Sequence, residues 1–533
     1  MELPSFVERQ FSFANALMFD SISGSLKPCL ARRITLALFA PRGGFMTRQK
    51  AGSTGVIALL FCILVPDGVL AQSAGIAGLV KDTTGAVIPG VTVEAASPAL
   101  IEKVRTVVTD EKGAYKIIDL RPGVYTVTFA LVGFSTVKRE GIELVANFTA
   151  NVNAELRVGA LEETVTVSGQ SSLVDVQNVV QQSVVSAHVM ETIPNSRTLE
   201  IIGQTLVPGM VSGGTARPTG QDVGGTAVDA RQKLGIHGSN TNDFQPMLDG
   251  IPQNATTGVA AGGINMDAGA VQEYTYEVGA LSAERTTGGV QTNTILKDGG
   301  NMFSGTFYGS FSNHTMESDN SSASLRSRGL TAENTLDKNW DINPSGGGPI
   351  KRDKLWIYLS TRAWGTEDDV ANMWYALDPA SPIWKPDLSR RALDDSRLTS
   401  ESARPTWQLT PKNKFEGIIL NQGRCLCHST VSSLITPEAA TKRTNDADSL
   451  QQVVWTSTVT NRILLEAGAQ HYRFDQYYRP TDQALPNATA TTELSTGLNS
   501  RAPAAGYQPL LNWIHNYKAS VSYVTGSHAA KIG

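Results

Sequence analysis

Phe303, Phe307 and Phe311 alternate with Ser304, Thr306, Ser310 and Ser312, while Gly305 and Gly309 fill the phenylalanine side. Side chains of a strand point alternately to opposite faces, so this spacing predicts a β-strand apolar on one face and polar on the other. The same period of two recurs downstream. Leu355, Ile357, Leu359 and Ala363 share one face, with Trp356, Tyr358, Ser360, Arg362 and Trp364 on the other. Trp407 and Leu409 precede a turn at Pro411-Lys412-Asn413-Lys414, and Phe415 to Leu420 follow it. Val453, Trp455 and Val459 alternate ahead of a tight turn at Thr460-Asn461-Arg462, then Leu465, Ala467 and Ala469. Tyr517, Ala519, Val521 and Tyr523 open a further hairpin, closed by Thr525-Gly526-Ser527-His528.

These hairpins have short polar turns at one end and long polar excursions, at 365–400 and 474–510, at the other. That asymmetry predicts an antiparallel transmembrane β-barrel over 299–533. Arg362 fits its lumen, because a lipid-facing arginine at mid-bilayer costs roughly 2–4 kcal/mol. Mean hydropathy of −0.13 is too polar for a bundle of membrane helices but suits alternating strands. Plugged barrels have about 22 strands, each needing roughly 9–11 residues to cross. Residues 303–533 hold about eight or nine such strands. The chain ends at Ala530-Lys531-Ile532-Gly533, in what reads as another strand, so we expect a C-terminally truncated chain or a piece of a split gene.

Residues 73–158 read as a small β-sandwich: short strands at regular spacing, punctuated by Asp82-Thr83-Thr84-Gly85, Pro89-Gly90 and Arg121-Pro122-Gly123. Within it Tyr125, Val127 and Phe129 share one face. Leu161-Glu162-Glu163-Thr164-Val165-Thr166-Val167-Ser168-Gly169, in a linker at 159–174, is extended and β-branched. It is either a last sandwich strand or linker, or a segment that offers its backbone to a partner. Residues 175–298 are Gly-, Thr- and Asn-rich with weak periodicity, and read as an α+β unit. Leu199, Ile201, Ile202 and Leu206 predict a helix stopped by Pro208-Gly209, and a loop is expected at 212–230.

Near the start, Arg48 and Lys50 precede the apolar run 56–65, and small residues end at Ala71. This reads as a secretory signal over 46–71, too short to span a membrane as a helix. Residues 1–45 are expected to be a mis-annotated extension, with translation starting at Met46, or else part of an unusually long leader. Removing 1–71 takes away seven basic and four acidic side chains, moving the net charge from −4 to −7. No basic excess points to nucleic acid. Cys29 and Cys62 leave with the leader, so Cys425 and Cys427 remain and no disulfide framework is expected.

Two families are resembled. Gly78, Asp82, Gly85 and Pro89-Gly90-Val91, with Gly113-Ala114-Tyr115 and Leu120-Arg121-Pro122-Gly123-Val124-Tyr125, resemble the carboxypeptidase regulatory-like domain. That implies a transthyretin-like β-sandwich. Ile193-Pro194-Asn195-Ser196-Arg197, Leu248-Asp249-Gly250-Ile251, Val271-Gln272-Glu273 and Ser282-Ala283-Glu284-Arg285 resemble the plug of TonB-dependent outer-membrane receptors of the Oar-like group. Lys297-Asp298-Gly299-Gly300-Asn301 resembles their plug-to-barrel junction, and 346–355 their first periplasmic hairpin. The resemblance implies a mainly β protein: periplasmic sandwich, α+β plug over 175–298 and partial barrel. It further implies an outer-membrane site, TonB as energising partner and a TonB box at Glu163, Thr164, Val165, Thr166 and Val167. Asp249, Gly250, Glu273 and Glu284 become plug-motif residues. The ligand would be a scarce extracellular substrate such as an oligosaccharide or peptide. The rival readings are an outer-membrane adhesion protein without transport and a non-functional fragment.

No catalytic constellation stands out, and neither cofactor nor metal is expected. His188 and Glu191 match a His-x-x-Glu pair, but a catalytic zinc needs a third protein ligand. Cys425, Cys427 and His428 supply three donors where a closed zinc site needs four, and are placed beyond a strand end as a loop disulfide or free thiols. Trp374, Tyr375, Trp384, Tyr477 and Tyr478 are read as aromatic-girdle residues rather than sugar-stacking platforms.

Overall fold

Alternation in the first described segment folds into two facing sheets. The computed structural model describes residues 74–533 except 99, 101–102, 146–147, 160–163, 169–180, 194, 196, 214–232, 254–263, 282–284, 286, 319–320, 331, 429, 461, 505–508 and 525–528. The expected leader over 1–71 lies outside the described residues, as do Glu163, Glu284 and nearly all of the expected loop at 212–230.

The sandwich strands are β1 (Ala74–Asp82), β2 (Thr92–Ala96), β3 (Val104–Val108), β4 (Ala114–Leu120) and β5 (Gly123–Ala130). They continue as β6 (Thr136–Leu144), β7 (Thr149–Asn151), β8 (Ala154–Leu156) and β9 (Thr164–Ser168). One sheet runs β4-β1-β7 with β8 also on β1, the other β3-β2-β5-β6-β9. Tyr125, Val127 and Phe129 are wholly buried between them, with the Phe129 ring edge-on to Tyr115. Of the segment that was either last strand or linker, the described residues Thr164–Ser168 form a strand, parallel to β6.

The plug follows. Its elements are β10 (Gln181–Ser186), α1 (Ala187–Thr192), α2 (Leu199–Leu206), β11 (Met210–Gly213), β12 (Lys233–Ile236) and β13 (Gln245–Leu248). β14 (Ile251–Pro252), β15 (Val271–Gly279) and β16 (Gln291–Leu296) complete it. Its central sheet runs β10-β15-β16-β13-β14. Unlike an edge strand, β15 is buried on both faces: Glu273, Tyr274, Thr275, Tyr276 and Glu277 are all inaccessible. Plug helices and barrel wall share one apolar cluster with it, including Met190, Ile202, Leu420 and Tyr472. Gly203 of α2 has no room for a side chain, since a Cβ there would meet the Tyr276 ring at 2.6 Å.

The wall is a nine-stranded antiparallel sheet. It begins with β17 (Ser304–Asn313), then, after the short helix α3 (Ala323–Ser327), β18 (Thr335–Lys351), β19 (Leu355–Ala376) and β20 (Pro386–Thr410). β21 (Asn413–Leu426), β22 (Thr441–Thr460) and β23 (Ile463–Pro480) come next. The two-residue strands β24 (Thr491–Thr492) and β25 (Asn499–Ser500) pair with each other, and β26 (Pro509–Val524) and β27 (Ala529–Ile532) finish the sheet. Phe303, Phe307 and Phe311 are exposed. The parity read for β19 holds: Trp356, Tyr358, Ser360, Arg362 and Trp364 are buried, with Tyr358, Ser360 and Arg362 hydrogen-bonded to the plug. No helix among the described residues is long and apolar enough to cross a membrane, which says nothing of crossing by strands.

Two expectations are corrected. Residues 365–376 and 386–400 are not loops but paired strand, with Thr366 opposite Ser396, and 474–480 pairs with β22 and β26. β19 and β20 therefore reach 22 and 25 residues. Beyond the hydrocarbon the ladder continues, but outward positions need not be apolar, so the alternation that announces a strand disappears. The aromatic assignment also shifts. Trp407 and Phe415 (ring centres 5.9 Å apart) and Trp455, whose Nε1 donates to Asn413 Oδ1 at 3.1 Å, ring the short-turn end. Tyr375 lies under Arg390, while Trp384 packs with Met373, Ala392 and Leu498 in a small outer core.

Outward positions along β21 pass from Phe415 and Ile419 to Asn421. Ile419→Arg puts a charge in the apolar stretch and should cost about 2–4 kcal/mol, whereas Asn421→Arg should cost about 0–1 kcal/mol. Reversible denaturant titration in lipid vesicles measures both; equal losses would refute the assigned membrane face.

Candidate functional site at the junction of sandwich, plug and wall

The Leu120-Arg121-Pro122-Gly123 turn between β4 and β5 projects Arg121 out of the sandwich, and Tyr125 Oη braces it by donating to the Arg121 carbonyl at 2.7 Å. Arg121 Nη1 meets Asp298 Oδ2 of the plug at 2.7 Å, and Nη2 meets Glu416 Oε1 of β21 at 3.2 Å. Asp298 Oδ1 also accepts from Arg404 Nε and Thr406 Oγ1 of β20, each at 2.7 Å. Arg404 additionally holds Asp249, and Lys414 lies 3.3 Å from Glu416. Three cations and three carboxylates from sandwich, plug and wall thus interlock beside a cavity of about 990 Å³.

The plug side is shaped by Leu248-Asp249-Gly250-Ile251. Leu248 pairs with Ile251, and Asp249 and Gly250 both have positive φ (45° and 73°), the signature of a type I′ hairpin turn, for which Asp-Gly is favoured. The turn presents the Asp249 carboxylate to Arg404, while Gly250 N–H donates to Asn293 Oδ1 at 2.9 Å and Lys518 Nζ to the Asp249 carbonyl at 3.2 Å. Burial pushes the Asp298 carboxyl up, but Arg121 and Arg404 outweigh it and hold the group below the usual carboxylate range. For Asp249 burial prevails over Arg404, and its carboxyl sits above that range.

A second set of contacts fastens the plug. Arg362 grips Asp341 through Nε–Oδ1 at 3.0 Å and Nη2–Oδ2 at 2.8 Å and donates from Nη1 to the Arg197 carbonyl at 3.2 Å. Arg197 reaches Asn343 at 2.9 Å and lies over the Tyr308 ring. Asp267 accepts from Ser360, and Gln422 exchanges hydrogen bonds with the Asn265 backbone.

Of the residues singled out from sequence, Asp249 and Gly250 reach this junction. Glu273 is instead buried within the plug sheet, opposite Ser186 and Ile295. Thr164 to Val167 lie in β9, away from this junction. Glu191 pairs with Lys297 at 3.5 Å. Arg121, Arg404 and Glu416 were missed as partners. Parity held a clue: with Trp407 outward, Arg404 must point inward.

At the opposite end, Cys425 and Cys427 are disulfide-bonded, and Cys425 belongs to β21 rather than lying beyond it, because the ladder with β20 and β22 runs on to Leu426. His428 Nδ1 lies 2.5 Å from Asp395 Oδ1 and Nε2 2.9 Å from Gln483 Oε1. Burial lowers the imidazole pKa, but the hydrogen bonds to Asp395 and Gln483 outweigh it and raise it.

The fold is that of a plug packed against an outer-membrane β-barrel wall, preceded by a β-sandwich. Residues 75–157 match the carboxypeptidase regulatory-like domain. The chain is a homologue of the TonB-dependent transporter Oar of Myxococcus xanthus, 30% identical over 310 residues that cover 57% of this chain and 28% of that relative. It therefore spans less than a third of the relative's length. Among solved structures it is similar to the siderophore receptor PirA of Acinetobacter baumannii (TM-score 0.42, 14% identity, 64% of this chain and 45% of that one). It is similar also to the outer-membrane transporter YddB of Escherichia coli (TM-score 0.44, 11% identity, 64% and 45%).

Arg121→Met and Asp298→Asn should each loosen the sandwich at pH 7, and a double-mutant cycle on urea midpoints should return a coupling of about 0.5–3 kcal/mol. Because the folded Asp298 value is depressed, its contribution is complete above the unfolded value of about 3.9 and is lost only as pH falls toward the folded one. No coupling at pH 7 would show the ion pair to be idle. His428 has the opposite sign: its raised folded value gives stability that is full below about 6.5 and lost as pH rises through the folded value. Proteolysis of the outer projection should accelerate from pH 6 to 8.5 in the wild type, with a flat profile in His428→Gln.

Proposed function

We propose that this chain works as a TonB-energised outer-membrane receptor that admits a scarce extracellular substrate, with an oligosaccharide or a peptide as the substrate class. The observation that carries this reading is how the plug is held. Much of its grip on the wall is polar: Arg404 on Asp249, Arg197 on Asn343, Gln452 Nε2 on the Leu248 carbonyl at 3.3 Å, and Asn516 Nδ2 on the Pro252 carbonyl at 2.8 Å. Each such contact can be exchanged for water, so a pull can displace or remodel the plug without tearing the wall. Buried ion pairs add little net stability over apolar packing, which makes them poor glue and good catches.

The segment taking the pull is Glu163-Thr164-Val165-Thr166-Val167, read as the TonB box. It precedes the plug in the chain and has the extended, β-branched character that strand addition to a partner uses. Asp249 and Gly250 form the plug turn that Arg404 catches, while Glu273 belongs to the plug's own sheet and Glu284 is read with it as a plug-motif residue. Homology to a TonB-dependent transporter supports the same assignment.

Val165→Pro removes a backbone donor from the segment and should abolish capture of TonB's soluble periplasmic domain by the detergent-solubilised chain. Membrane insertion, read from the heat-shifted mobility of the barrel on gels, should be unchanged. Undiminished capture would refute the TonB-box assignment.

A further inference from the structure

A TonB box must be free to give its backbone to a partner, yet in this structure the segment read as that box is already committed. After β8 the chain returns to the head of β6: Phe134 bridges Val158, Ser135 N–H donates to the Arg157 carbonyl at 2.8 Å, and Gly159 N–H to the Gly133 carbonyl at 3.2 Å. Only residues 160–163 intervene before Thr164. β9 then runs parallel to β6 in unbroken register, Thr136 opposite Thr164, Lys138 opposite Thr166 and Glu140 opposite Ser168. Its place is set by the returning chain, so the pairing follows from the fold of the sandwich itself.

The sandwich is in turn anchored. Arg121, which leads into β5, ties it to Asp298 and Glu416, and β5 is hydrogen-bonded to β6. A docked β9 therefore lies against a body fixed at the mouth of the barrel wall. Released, residues 160–180 become a tether of 21 residues, which at about 3.3–3.6 Å per residue spans roughly 70 Å when extended. Docked, the part beyond Ser168 has only twelve residues before β10 begins at Gln181. A partner anchored in another membrane gains reach only from the released form. The ladder is short, parallel and at a sheet edge, the weaker kind of strand pairing and the one most readily peeled.

Resting on the TonB-box reading of this segment, we propose that the sandwich is a releasable clamp on it: β9 stays on β6 while the receptor idles and must peel away before the periplasmic partner can engage it. The occupant of the freed segment is an extended strand of TonB.

The test uses the full chain with Glu140→Cys and Ser168→Cys, a register pair just past the proposed box, cross-linked by a short bis-thiol reagent whose link is cleaved by reductant, and TonB's soluble periplasmic domain as probe. A peptide covering residues 160–170 is measured beside it. The expected result is that the peptide binds at least tenfold more tightly than the intact chain. The cross-linked chain should lose binding, and reductant should restore it, with neither single-cysteine variant affected. Equal binding by cross-linked and free chains would overturn the clamp and show instead that TonB adds to the outer edge of a docked β9. Failure of the peptide to bind would sink the TonB-box reading itself, an outcome separable from the former.

Discussion

Inside hydrocarbon no water is present to accept or donate a hydrogen bond, so each N–H and C=O of a crossing strand must be satisfied by its neighbours. In this chain the requirement appears as an antiparallel ladder from β17 to β27, in which register pairs follow one another with few interruptions. Once the backbone is committed to that ladder, the pleat assigns every side chain to lipid or lumen. Phe307 and Ile419 go outward; Arg362, Ser360 and Arg404 go inward. A lumen lined by such groups calls for a polar counterpart, and the plug supplies it with Asp249, Asp267 and Asp298.

The charges at the junction are better understood as positional devices than as sources of stability. Desolvating three cations and three carboxylates offsets most of what their attraction returns. What remains is specificity: a guanidinium shared by Asp249 and Asp298 accepts few other geometries, and Arg121 reaches Asp298 and Glu416 together only with the sandwich in one place. Contacts of this kind hold firmly while intact and lose their worth abruptly once water enters.

The outer projection follows another rule. β19 and β20 continue well past the apolar belt, capped by the Met373–Leu498 cluster and by the contacts of His428. There the backbone ladder provides stiffness, and side chains are free to vary. The bonded pair Cys425–Cys427 sits where the strand gives way to loop.

Read residue by residue, the chain alone determined the parity of β19, the hairpin that pairs Thr460 with Ile463, the buried Tyr125-Val127-Phe129 face and the helix at Leu199–Leu206. All depend on a pleat or helical period set within a few residues. The extent of β19 and β20 was hidden because outward positions outside the bilayer carry no hydrophobic requirement. Only the tertiary structure decided that Arg121 meets Glu416 across 295 positions, that β15 is covered on both faces, and that β9 docks on β6. Periodicity is a local property of the backbone, whereas the partner of a charge or of a strand edge depends on where distant segments meet.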